Sequence, residues 1–161
     1  MSRASGPGGG PATIATLQAA LTAENTAVYG YGVAGAHLTG ARRAAAVRDW
    51  VAHENARDAL TAMLTARGGQ PVAAAAAYAL PFSVHNAPAA VSLAAVLEDR
   101  VAAVYLGLVA LGEPSLRAFG AARVRTAALR AAAWRGSTLA FPGFEVTPSS
   151  TPKTAARAGG S

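Results

Sequence analysis

The sequence predicts an all-α chain folded as an antiparallel four-helix bundle with one long crossover between helices 2 and 3. Three observations lead there. Composition comes first: of 161 residues 52% are hydrophobic, mainly alanine, and only 6% are aromatic and 14% charged, which favours close-packed helices over a sheet built from β-branched and aromatic residues. Second, four segments repeat apolar residues in alternating steps of three and four, the signature of an inward helix face. Third, breaks rich in Gly and Pro separate these segments in the order short, long, short. A chain of this length supports one hydrophobic core.

Helix 1 is expected over residues 13–38, entered through Pro11 and Thr13, with Ile14, Leu17, Leu21, Val28, Gly35 and Leu38 on its seam and positions 24 and 31 completing the steps. Such a helix is about 39 Å long, a length suited to bundles. Helix 2 is expected over 41–66, with Val47, Trp50, Val51, Leu60, Met63 and Leu64 on a broad inward face and Gly68-Gly69 ending it. The crossover follows, with Pro71, Pro81 and the YALPF segment reading as extended chain and residues 73–79 offering room for a helical turn. Pro88 opens helix 3 over 88–112, and Val91, Ala94, Leu97, Val101, Val104, Leu108 and Leu111 repeat the stepping. Glu113-Pro114-Ser115 breaks it, and helix 4 spans 115–135 on Leu116, Gly120, Val124, Ala127, Ala131 and Trp134.

Residues 1–12 read as a disordered leader, 13–146 as the bundle with Phe141–Phe144 folding back on it, and 147–161 as a disordered tail. Helix, short turn, helix, long crossover, helix, short turn, helix is the plan of ferritin-like folds. An internal echo accompanies it. Leu17, Leu21, Val28, Tyr29 and Val33 match Leu93, Leu97, Val104, Tyr105 and Val109 at constant spacing, whereas pairing Glu24 with Glu98 uses a register shifted by two residues.

Several function classes are excluded or disfavoured. There is no cysteine, which removes disulfides, thiolate metal sites and cysteine nucleophiles. The formal charge is +6, but the arginines are scattered without a basic run or an aromatic-interleaved stripe, so nucleic acid is not an expected partner. The leader lacks the apolar core of an export signal, and prolines interrupt the longest uncharged stretch, so a cytoplasmic protein without a membrane span is expected. No phosphate loop or hydrolytic triad is present.

The residues with chemical potential lie on the seams. Glu24 falls on the core face of helix 1 and Glu98 on the inner side of helix 3, each followed seven residues later by a tyrosine, Tyr31 and Tyr105. Buried carboxylates must be neutralised, paired or metal-bound. On helix 2, His53, Glu54, Arg57 and Asp58 cluster near the middle. Di-iron bundles carry Glu-x-x-His at this place, but here Arg57 takes the histidine's position, and a guanidinium cannot ligate a cation. It can pair with Glu24, Glu54 or Glu98. Helix 4 contains no Asp, Glu or His, so a complete ferroxidase set cannot be assembled.

LQAALTAENTAVYGYGVAGAHL, AHENARDALTAML, YALPF and LEDRVAAVYLGLV, in that order, resemble an uncharacterised ferritin-like domain family common in actinobacteria, over residues 13–144. The resemblance implies the ferritin-like helical fold and carries no catalytic residue. Taken together, a non-ferroxidase bundle is expected, with Glu24, Tyr31, His53, Glu54, Arg57, Asp58, Glu98 and Tyr105 as a central polar cluster that is structural or binds a small ligand, with no cofactor. The alternative is a divergent metal-dependent oxidase or metal store holding one iron, manganese or zinc ion on Glu24, Glu54, Glu98 and His53. A homodimer is compatible with either.

Overall fold

The computed structural model describes residues 9–136 and, among them, contains helices and no strand. Four helices follow one another: α1 (Pro11–Ala36), α2 (Gly40–Ala66), α3 (Ala87–Val109) and α4 (Pro114–Arg135). Their ends follow local chemistry. Prolines stand in the first turns of α1, α3 and α4, where their missing N–H goes unmissed. The Asn86 side chain accepts the Ala89 amide at 2.9 Å and caps α3. At the other end of α4, Gly136 turns the backbone left-handed at φ 74°. Helices 1 and 3 stop short of the expected 38 and 112 because their final residues tighten into three-residue bonds, Leu38 to Gly35 and Leu111 to Leu108.

Two core clusters fix the helix directions. One joins Leu17 and Leu21 of α1 to Leu60 and Leu64 of α2, Tyr105 and Leu108 of α3 and Leu116 of α4. The other joins Tyr31 and Ala34 to Ala46, Leu93, Leu97 and Trp134. The start of α1 therefore lies beside the end of α3, and the two run antiparallel. Between α2 and α3 the chain must travel the length of the bundle, and it does so along α1. Gln18 bonds both Gln70 and, at 3.0 Å, the Val72 amide, while Tyr29 packs on Tyr78 with ring centres 5.9 Å apart. No helical turn forms over residues 73–79, where every residue except Tyr78 is exposed alanine with no face to bury. Pro11 and Ala12, expected in the leader, already belong to α1; the rest of the leader before Gly9, the 141–144 fold-back and the tail lie outside the described residues.

α1 packs against α2 and α3, and α3 against α4. Two glycines make the closest approaches. A Cβ on Gly30 would lie 2.6 Å from Leu97 Cδ1, and one on Gly120 would lie 2.9 Å from Leu108 Cβ and 3.1 Å from both the Tyr105 carbonyl and the Val109 amide. At Gly120 the obstacle is backbone and cannot rotate away. By contrast, Gly32 and Gly35 face open space. Expected outcomes follow for urea denaturation: Gly120→Ala loses about 1–3 kcal/mol by overpacking, whereas Gly32→Ala gains about 0.5–1 kcal/mol by relieving a helix-interior glycine. Full stability in Gly120→Ala would contradict the α3–α4 spacing.

Candidate functional site: a buried carboxylate–imidazole–carboxylate network

Glu24, His53 and Glu98 are fully buried at the middle of the bundle, one each from α1, α2 and α3. His53 bridges the two acids: Nδ1 lies 2.6 Å from Glu24 Oε2 and Nε2 lies 3.1 Å from Glu98 Oε1. The tyrosines bond across the bundle rather than within their own helices. Tyr105 donates to Glu24 Oε1 at 2.6 Å, and Tyr31 donates to Glu98 Oε1 at 2.7 Å. Because α1 and α3 are antiparallel, each tyrosine lies two turns from its own helix's glutamate and level with the partner helix's. The reciprocal pairing is that of a local twofold relation between α1 and α3.

Helix α4 supplies cations. Arg123 Nη2 donates to Glu24 Oε1 at 3.3 Å and to the Ala52 carbonyl at 3.5 Å. Arg130 Nε pairs with Asp49 Oδ1 at 3.1 Å while its Nη1 lies 3.9 Å from Glu98 Oε1. Trp134 completes the rim, its Nε1 placed 3.0 Å from both the Tyr31 hydroxyl and Asp49 Oδ2. Glu98 Oε2 has no hydrogen-bond partner among the described residues.

Hydrogen-bond accounting assigns the protons. Glu24 Oε1 and Glu98 Oε1 already accept from tyrosines, and a neutral imidazole has a single N–H. Both ring nitrogens facing carboxylate oxygens therefore describe an imidazolium between two carboxylates. Burial works against the charged imidazole, but the hydrogen bonds it donates to Glu24 and Glu98, with the charges of those two acids, outweigh it and push the His53 pKa from 6.5 to about 9. Burial likewise opposes charge on Glu24, yet its bond to and charge attraction from His53, the Tyr105 hydroxyl and Arg123 together hold it below the ordinary 4.5. Both tyrosines are pushed far up, first by burial and then by the adjacent glutamate, so they remain protonated donors.

The family model described as a domain of unknown function, DUF4439, matches residues 16–146. The chain belongs to this family. The match spans every residue of the network. A crystal structure of a conserved hypothetical protein, rv2844, from Mycobacterium tuberculosis is similar to it at 30% identity, with a TM-score of 0.76, covering 80% of this chain and 98% of that one. The comparison with curated proteins finds no match.

In this DUF4439 chain the structure brings together Glu24, Tyr31, His53, Glu98 and Tyr105, and leaves out three expected members of the cluster. Arg57 lies on the flank of α2, 3.6 Å from Glu54 and 2.9 Å from Asp58, and Asp58 is 67% exposed. The reason is the orientation of α2: Ala46, His53, Ala56, Leu60 and Leu64 form its buried face, so positions 54, 57 and 58 turn aside. The same rotation exposes Val47 and Val51, which were expected inward. Glu54 accordingly cannot join Glu24, Glu98 and His53 around one cation. Among the described residues no three His, Asp or Glu side chains gather about a common point, and the two nitrogens of His53 are aimed at opposite walls. The donors as arranged do not fit a metal ion.

The cations that do neutralise the acids, Arg123 and Arg130, went unrecognised in the sequence, as did Asp49. A signal existed: the two arginines sit four residues before and three after the seam position Ala127, hence on the same inward face. Two outcomes are expected. Removing the imidazolium in His53→Gln destabilises the protein by about 3–5 kcal/mol, since two buried carboxylates lose their shared cation, whereas Arg57→Leu changes stability by less than about 1 kcal/mol because its pairs are at the surface. The pH dependence has a defined sign. With its folded pKa raised, His53 contributes fully below pH 6.5 and its contribution, roughly 3 kcal/mol, is lost as pH rises through about 9; with its folded pKa lowered, Glu24 contributes fully above 4.5 and its contribution is lost on acidification. Thermal melting from pH 4 to 10 should peak between about 4.5 and 6.5, and an alkaline slope identical in wild type and His53→Gln would refute the assignment.

Proposed function

We propose that the protein is a ferritin-like bundle of non-ferroxidase type, in which a closed ion network stands where related bundles place metal ligands, and which serves as a rigid structural or ligand-carrying scaffold. One observation carries this reading: His53 spans Glu24 and Glu98 with both ring nitrogens. A cation already sits between the two inward carboxylates, and it is part of the chain. The layout supports the ferritin-like assignment, since α1 and α2 are joined by a short turn, α3 and α4 by another, and a long connection runs between the pairs. A single divergent metal site on Glu24, Glu54, Glu98 and His53 has one point in its favour, the unpartnered Glu98 Oε2, and against it the outward position of Glu54.

Elemental analysis of protein purified without chelators tests the reading. Less than about 0.1 equivalent of iron, manganese or zinc per chain is expected, with a melting temperature unmoved by EDTA. About one equivalent of any of these, lost in Glu24→Ala and Glu98→Ala, would replace the ion network by a metal centre.

A further inference from the structure

A half-open cavity of about 260 Å³ lies over the outer face of Tyr31, walled by Gly32 and Gly35 of α1 and by Arg43, Val47 and Trp50 of α2. Its composition does not follow from helix packing. Gly30, two residues before Gly32, is forced by the approach of Leu97, but a Cβ on Gly32 or Gly35 would meet nothing within 4 Å. Interior helix glycines without a packing reason weaken the helix, and here the missing side chains are what keep the groove open. The facing wall is apolar and uncovered, Val47 being 51% exposed, with the indole of Trp50 beside it. The floor is fixed: the hydroxyl of Tyr31 is tied to Glu98 and Trp134, so its ring cannot swing away. At the edge stands Arg43, exposed and, like Arg42, Arg48, Arg100, Arg117 and Arg125, without an ion pair among the described residues, so that its guanidinium is open to an anion lying over the groove.

From this arrangement we infer that the groove is a binding site for a small aromatic carboxylate. An aromatic ring fills the space left by Gly32 and Gly35 and packs against Trp50 and Tyr31, while Arg43 receives the carboxylate in a forked hydrogen bond. The volume lies just below the roughly 300–1,000 Å³ of drug-sized sites, which selects one ring with a short acidic substituent. For about ten non-hydrogen atoms, a Kd on the order of 0.1 mM is expected. The site shares Tyr31 with the ion network, while Gly32, Gly35, Arg43, Val47 and Trp50 stand outside it.

Benzoate, with neutral benzamide as the control, is the probe for saturation-transfer NMR and calorimetry on the full chain. Benzoate binding is expected, at least about tenfold tighter than benzamide and weakened about tenfold in Arg43→Gln. Gly35→Leu places a side chain into open space, so it keeps the helical circular-dichroism spectrum while abolishing binding. No saturation transfer at about 5 mM benzoate, well above the expected Kd, would overturn the inference, as would equal binding of benzamide or undiminished benzoate binding in folded Gly35→Leu.

Discussion

The imidazolium of His53, held between Glu24 and Glu98, is the constraint to which the rest of the bundle is fitted. Removing three ionisable groups from water carries a desolvation penalty of several kcal/mol per ion, and their mutual attraction repays it only in one geometry. Alanine-rich seams are permissive: sliding one helix by a turn against another would still place small apolar residues in contact. The same slip would withdraw His53 from one glutamate and leave a buried carboxylate uncompensated. The network's value is thus better described as fixing register than as adding net stability, and it fixes three helices at once because each contributes a different member.

The fourth helix packs directly on α3 and reaches the other side of the bundle through longer arms. α2 and α4 do not pack backbone to backbone as the other neighbouring helices do; the space between them is crossed by Arg123 reaching Glu24 and the Ala52 carbonyl, by Arg130 reaching Asp49, and by Arg42, whose guanidinium lies 5.5 Å from the Trp134 ring centre and 3.4 Å from the Ala133 carbonyl. Arg135, at the end of α4, pairs with Asp99 in the middle of α3, and Arg67 pairs with Glu113 between α3 and α4. Much of the positive charge that colours the composition is therefore internal mortar. A guanidinium suits this use, since its apolar stem can lie along alanines while its planar head meets several acceptors.

How far the sequence disclosed this can be judged residue by residue. Four helices, their breaks and the inward positions of Glu24 and Glu98 were legible because periodicity and the Gly and Pro punctuation report backbone and burial directly. Arg57 was misplaced for a definite reason. Reasoning from Glu-x-x-His spacing assumed which side of α2 faces inward, and on an alanine-rich helix neighbouring faces differ little in hydrophobicity; Val47 and Val51 looked as good a core face as Ala46, Ala56 and Leu60. The pairing of tyrosines across the bundle was also out of reach, because spacing along one helix shows which residues share a face and not what opposes them. Arg123 and Arg130 were passed over among the scattered arginines, although their positions around Ala127 place them on the inward stripe.

The two candidate registers of the internal echo can now be weighed by what they pair. Glu24 and Tyr31 recur as Glu98 and Tyr105, 74 residues later in each case, and these four residues form the reciprocal hydrogen bonds at the centre. The same spacing carries His53 to Ala127, a buried residue on the corresponding face of α4. The symmetry is broken there, and charge balance explains why. Two buried acids, Glu24 and Glu98, with Asp49 at the rim, stand against three cations, His53, Arg123 and Arg130. A second imidazolium at 127 would add a cation to a cluster that already closes, while an unprotonated one would be a polar ring with no acidic partner left. Alanine leaves the middle of α4 clear for the arginines one turn to either side. A single histidine on one half and two arginines on the other are thus complementary answers to the same pair of buried glutamates.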